Sequence, residues 1–203
     1  MFKMPLLLLL IIVLLLFTLT IGFPIVALAT ATTFNYDDLV QSDDGFGYLT
    51  RDNYKKAGIC YYIYDPDINN TIINIPEKYE DYPVKGIGGY VGKGGPCPFG
   101  VEIKGIDADY IVLRSNGSFD WYKKTVDFDI IYYDMVLNIG PNIREIYADD
   151  GGRLSGDQMY VVRYYVNCDP KNRKFYSKDG ILYRRNGEEV DDFLYWDRKY
   201  ISD

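Results

Sequence analysis

The sequence predicts a mainly β chain whose short strands stack as an irregular solenoid, preceded by an apolar export segment. Three observations carry this. The apolar runs after residue 57 are short and rich in Ile, Val and Tyr: "ICYYIY", "TIINI", "VEI", "YIVL", "IIYYDMVLNI" and "YVVRYYVNC", each bounded by Gly, Pro, Asn or Asp. No long window holds a clear helical period. And one pattern recurs, apolar-Asn-apolar-breaker, at Ile73-Asn74-Ile75-Pro76, Leu137-Asn138-Ile139-Gly140 and Val166-Asn167-Cys168-Asp169, with a weaker copy at Val101-Glu102-Ile103-Lys104. The central residues lie 28, 36 and 29 positions apart, a repeat length that marks stacked supersecondary units.

Taken in order, the chain opens with "PLLLLLIIVLLLFTLTIGFPIVALA", Pro5 to Ala29, an uncharged run. It is long enough to span a bilayer, for which ~20 apolar residues suffice. It ends with a helix-breaking Pro24 and the small-x-small step Ala27-Leu28-Ala29, as a signal peptide ends. Residues 1–29 are therefore expected to be a signal peptide or an uncleaved N-terminal anchor. Either places the remainder outside the cytoplasm, secreted or at the cell surface, with membrane contact only through residues 5–29 if they are retained. Residues 30–56 are polar and acidic, with turn signals at Asp43, Asp44, Gly45 and Gly47. They are expected to form a tether running into an N-terminal edge.

Residues 57–203 should form the β domain. In each repeat the strand alternates faces, so the flanking apolar pair points inward and the Asn outward. Ile75, Ile139 and Cys168 should be buried, and Asn74, Asn138 and Asn167 should occupy equivalent outward positions. Two copies continue alike, into Val84-x-x-Ile87 and Ile143-x-x-Ile146. Near the end, Asp179-Gly180 and Asn186-Gly187 bracket the strand-like run Ile181 to Arg185. Reading Asn186-Gly187 as a two-residue type I′ turn puts Arg185 opposite Glu188, Arg184 opposite Glu189 and Tyr183 opposite Val190.

Composition limits the chemistry. The 203 residues carry 22 basic and 29 acidic groups. Lys3 is the only charge before Ala29, so the rest carries 21 basic against 29 acidic, a net −8. That disfavours nucleic acid and anionic lipid as partners. With no His in the chain, Ser-His-Asp, Cys-His and His-zinc arrangements are absent. Cys60, Cys97 and Cys168 match no metal spacing. They read as small apolar residues, a Cys60–Cys97 bridge being the minority alternative. No metal or cofactor is expected.

"DPDINN", Asp65 to Asn70, starts like a calcium loop but has Asn70 where the loop needs Gly and Pro76 where it needs Glu, so a turn between strands is the better reading. Gly-rich "GIGGYVGKGG", Gly86 to Gly95, lacks Walker spacing. Asn69-Asn70-Thr71 and Asn116-Gly117-Ser118 are glycosylation sequons. The carboxylate pairs Asp43/Asp44, Asp107/Asp109, Asp127/Asp129, Asp149/Asp150 and Asp191/Asp192 supply the alternative function, a secreted hydrolase acting on polysaccharide.

The better lead is the aromatic excess, 21 Tyr, since Tyr offers contact area and a hydroxyl at small entropic cost. Parity with the outward Asn residues places Ile72, Val136 and Tyr165 on one face, with Tyr132, Asp134 and Arg163 further along it. The candidate binding residues are Asn74, Tyr132, Asp134, Asn138, Arg163, Tyr165 and Asn167.

The stretches "IPEKYEDYPVKGIGG", "LNIGPNIREI" and "CDPKNRKFYSKDGILYRRNGEEV" resemble the BspA-type leucine-rich repeats of bacterial surface proteins. The resemblance covers residues 57–196 in patches. The segments "GGYVGKGGPCPFGVEIKG" and "SNGSFDWYKKTVDFD" depart from it, so the chain resembles a short, degenerate member. It implies a leucine-rich-repeat-like solenoid with the terminal β-hairpin as an insertion. It also implies a non-enzymatic adhesion module that binds an extracellular protein or glycan.

Overall fold

The protein is described from a computed structural model, covering residues 35–36, 38–51, 55–91, 95–106, 109–111, 129–148 and 152–197. The predicted export segment 1–29 and residues 112–128 lie outside the described residues. Residues 34–203 form one compact unit.

The described residues hold strands, turns and bridges, and no helix. The first strands are β1 (Asn35–Tyr36), β2 (Asp38–Gln41), β3 (Phe46–Arg51), β4 (Lys56–Tyr64) and β5 (Ile72–Asn74). Next come β6 (Lys78–Tyr79), β7 (Tyr82–Ile87), β8 (Gly89–Val91), β9 (Gly95–Cys97), β10 (Gly100–Ile103) and β11 (Asp109–Ile111). The last are β12 (Asp129–Ile139), β13 (Glu145–Ile146), β14 (Gly152–Ser155), β15 (Gln158–Cys168), β16 (Phe175–Lys178) and β17 (Ile181–Arg184).

Two sheets matter most. One runs β13-β7-β4-β3-β2, with β10 added to β4 and β6 to β7. The other runs β11-β14-β15-β12-β5. Their inner faces share one core. Ile59, Val84, Ile87 and Val101 come from the first sheet, and Ile73, Leu137, Ile139 and Val166 from the second. Burying each such aliphatic side chain contributes roughly 1.5–3 kcal/mol. Tyr64 meets Tyr133 edge-on across the gap, with ring centroids 5.6 Å apart. Two smaller sheets, β1-β8-β9 and β16-β17, complete the unit.

The segments that share the apolar-Asn-apolar pattern at Asn74, Asn138 and Asn167 pair in parallel and in register. In the second sheet Asn138 lies beside both Asn74 and Asn167. In the first, Ile146 of β13 lies beside Ile87 of β7. The copies beginning at β5 and β12 thus run into β7 and β13, and each copy contributes a strand to both sheets. The shared Val-x-x-Ile and Ile-x-x-Ile spacing is the trace of that second contribution. Ile75 and Ile139 are buried, as the alternation requires, whereas Cys168 is only half-buried, short of the burial expected of it. The weaker copy keeps its alternation, with Val101 and Ile103 in and Glu102 out. It pairs with β4 instead, Val101 opposite Tyr62, so it takes no part in the Asn row.

Three expectations are corrected. Residues 38–51 are not a tether: β2 and β3 form an antiparallel pair on the first sheet, with Phe46, Tyr48 and Leu49 buried. Asp43 and Asp44 sit in the connecting turn, where Asp44 accepts hydrogen bonds from the Phe46 N–H and the Tyr48 hydroxyl. β2 ends the strand order of that sheet. Second, Cys60 and Cys97 are joined by a disulfide, not merely packed. The β8–β9 hairpin brings Cys97 over β4, with the two Cα atoms 5.9 Å apart.

Third, the Asn186-Gly187 turn is one residue off the expected register. Gly187 N–H bonds the Arg184 carbonyl, and Gly187 has φ +89° while Asn186 is not left-handed. That is a three-residue loop with Gly in the left-handed position. Tyr183 consequently pairs with Glu189 instead of Val190, and Arg184 comes to Glu188 at 3.9 Å. The type I′ geometry belongs to the other turn, where Asp179 and Gly180 have φ of 54° and 82° between paired Lys178 and Ile181.

Candidate functional site

All seven sequence-predicted binding residues lie on one face of β5, β12 and β15, the face turned away from the shared core. The parallel register creates it. With Met135, Leu137, Tyr164 and Val166 buried inward, their sequence neighbours must point out.

Three rows cross the strands. The first is an amide ladder. Asn167 Nδ2 donates to Asn138 Oδ1 at 3.0 Å, and Asn138 Nδ2 donates to Asn74 Oδ1 at 2.7 Å. Identical side chains at equivalent positions on parallel strands stand ~4.8 Å apart, which suits this relay. Two residues toward the strand starts lies an apolar row of Ile72, Val136 and Tyr165, in direct register. Two residues further is a charged row, where Arg163 grips both carboxylate oxygens of Asp134 at 2.7 and 2.8 Å. The guanidinium also lies over the Tyr132 ring, 4.4 Å from its centroid.

Sequence reasoning missed Trp196, which extends the apolar row. Its ring lies 5.2 Å from that of Tyr165, its Nε1–H donates to the Arg163 carbonyl, and it is 40% exposed. Ile72 at the opposite end is 46% exposed. The row Ile72–Val136–Tyr165–Trp196 thus runs across the sheet between a polar ladder and a neutralised ion pair. Trp196 is held there because the C-terminal segment pairs with β15 past the end of β14, on the side away from β12: Tyr164 N–H bonds the Leu194 carbonyl, and Trp196 N–H bonds the Tyr164 carbonyl.

The hairpin supports the same edge. Gly180 carbonyl accepts from Val166 N–H, and a Cβ at Gly180 would stand 2.4 Å from the Tyr165 ring. Glycine is therefore required by contact as well as by φ. Beneath, the buried Asn172 uses its whole amide. Its Nδ2 donates to the Gly140 and Ile143 carbonyls, and its Oδ1 accepts from Lys174 and Phe175 N–H. It ties the loop after β15 to the loop after β12.

A groove of about 840 Å³ lies elsewhere, beside the disulfide, lined by Leu39, Tyr61, Ile63, Glu102 and Lys104 among others. Its Lys104 is already bound to Asp65 at 2.5 Å. That contact also occupies the carboxylate that opens "DPDINN", a stretch the structure folds as a turn after β4. Among the described residues no three His, Cys, Asp or Glu side chains gather as a metal site would need.

The described acidic pairs stand in turns. Asp43 and Asp44 join β2 to β3. Asp192 is half-buried near Arg184, 3.9 Å away; burial, reinforced by the Asp191 charge, pushes its carboxyl up to about 6. Asp43, Asp44 and Asp65 line a second groove of about 600 Å³, where Asp44 accepts from the Phe46 N–H and the Tyr48 hydroxyl and Asp65 is bound to Lys104.

No family model matches the chain, and no curated protein or solved structure shows significant similarity to it.

Proposed function

We propose that the chain is an exported or cell-surface recognition module that binds an extracellular protein or glycan through the outer face of β5, β12 and β15, without catalysis. The observation that carries this is the row Ile72–Val136–Tyr165–Trp196, exposed at both ends and half-buried between, flanked by the Asn ladder and the Arg163–Asp134 pair. An aromatic and aliphatic strip bordered by fixed hydrogen-bonding groups matches the makeup of recognition surfaces. Arg163 is neutralised in place, so the face offers contact area and oriented amides in place of a free charge.

The same reading takes the domain as a short, degenerate BspA-like solenoid. In-register pairing of successive copies in both sheets supports it, Asn74–Asn138–Asn167 in one and Ile87–Ile146 in the other. So does closure of the β15 edge by the hairpin and the C-terminal segment, the role a terminal cap plays in stacked repeats.

The test is binding of the purified full chain to an array of glycans and extracellular-matrix proteins. A ligand captured by the wild type should be lost by Trp196→Ala and by Ile72→Lys. Ligands retained by both variants would place binding elsewhere on the molecule.

A further inference from the structure

We infer that Asn69 is an acceptor for an N-linked glycan. Asn69-Asn70-Thr71 has the required spacing, with a hydroxyl residue two positions on and no Pro between. The structure adds what the motif alone lacks. Asn69 sits exposed at the end of the Asp65–Asn70 turn, with φ 51° and its N–H bonded to the Asp65 carbonyl. Its Oδ1 accepts the Tyr64 hydroxyl at 3.1 Å, while Nδ2 donates to no group among the described residues. Glycosylation uses only that nitrogen. Nδ2 bonds to C1 of an oligosaccharide carried on a lipid pyrophosphate and loses one proton. The C1–O bond breaks and its electron pair leaves with the lipid pyrophosphate. The carbonyl oxygen and its Tyr64 bond survive, so the folded domain accommodates the product.

The position also has a use for the sugar. Ile68 beside it is 72% exposed, and Ile72 of β5 is 46% exposed. β5 ends its sheet, paired only with β12 among the described residues. An open strand edge with exposed isoleucines favours edge-to-edge association. A hydrated branched sugar at the entrance to β5 opposes it. This inference shares with the proposed function the export step and the exposed Ile72, and neither depends on the other's ligand.

The experiment expresses the full chain in a secreting eukaryotic cell, treats the secreted or membrane-bound product with peptide N-glycosidase, and maps the peptides. The expected result is a mobility shift and conversion of Asn69 to Asp in the wild type. Both Asn69→Gln and Thr71→Ala should lose the modification at this position; Thr71→Ala keeps the Tyr64 bond intact. An exported chain with unmodified Asn69, modification confined to Asn116, or a chain that never enters the secretory compartment would each overturn it.

Discussion

Arg163 lies directly opposite Asp134 in the β12–β15 register and binds it with two parallel hydrogen bonds. The partners are unequally buried: the Arg163 side chain is 14% exposed and that of Asp134 44%. An exposed carboxylate gains little from such a pair, typically ~0.2–1 kcal/mol. Arg163 additionally covers the Tyr132 ring and lays its stem on the sheet. Urea denaturation should therefore show Asp134→Ala costing less than about 1 kcal/mol and Arg163→Ala costing more. Equal losses, with a double mutant no worse than either, would assign all the stability to the ion pair.

The Asn186-Gly187 loop makes a backbone prediction. A side chain at Gly187 meets open space, so only its φ of +89° opposes substitution. Gly187→Val should destabilise by at least ~1–2 kcal/mol. Gly180→Ala should cost more despite adding only a methyl, because it drives a carbon into the Tyr165 ring. Equilibrium unfolding of the two variants checks the order. Arg184→Ala loses only loose 3.9 Å contacts to Glu188 and Asp192 from a partly exposed side chain and should cost less than about 1 kcal/mol.

Asp192 predicts a pH dependence. Its carboxyl is raised to about 6, above the ordinary 3.8, so the fold holds this proton more tightly than the unfolded chain does. Its contribution is fully present below about pH 4 and is lost as pH rises through about 6. Asp192→Asn should remove this segment of the stability–pH curve, on the order of 2–3 kcal/mol at most. Parallel curves for wild type and variant between those pH values would contradict the assignment.

The disulfide closes a loop between residues 37 apart in sequence. Such cross-links contribute about 2–4 kcal/mol. Reductant should lower the melting temperature of the wild type and leave that of a Cys60→Ala, Cys97→Ala variant unmoved; Cys168 stays free in both.

The face was legible in the sequence because strand alternation and a repeated Asn settle both orientation and register. Once Ile73, Leu137 and Val166 are taken as inward, Asn74, Asn138 and Asn167 can only stack outward. The Ile87–Ile146 pairing was legible for the same reason, from shared spacing. Other features depend on contacts that spacing does not encode. An Asn-Gly pair serves a two-residue turn or a three-residue loop, and the choice moved Tyr183 from Val190 to Glu189. Cys97 reaches Cys60 only because a Gly-rich segment folds back as β8–β9. Trp196 joins the face because the chain returns along β15, and Asn172 is buried because two loops converge on it.

The row from Ile72 to Trp196 is proposed as the recognition surface. The most direct measurement is the affinity of the full chain for its best array ligand, compared among three variants of unchanged melting temperature. Ile72→Lys and Tyr165→Ala alter the row, and Leu39→Lys alters the groove beside the disulfide. Truncating a central anchor commonly costs at least ~2 kcal/mol, roughly thirtyfold in Kd. The account predicts a loss of that order for the two row variants and none for Leu39→Lys. A loss confined to Leu39→Lys would contradict it and move recognition to the groove.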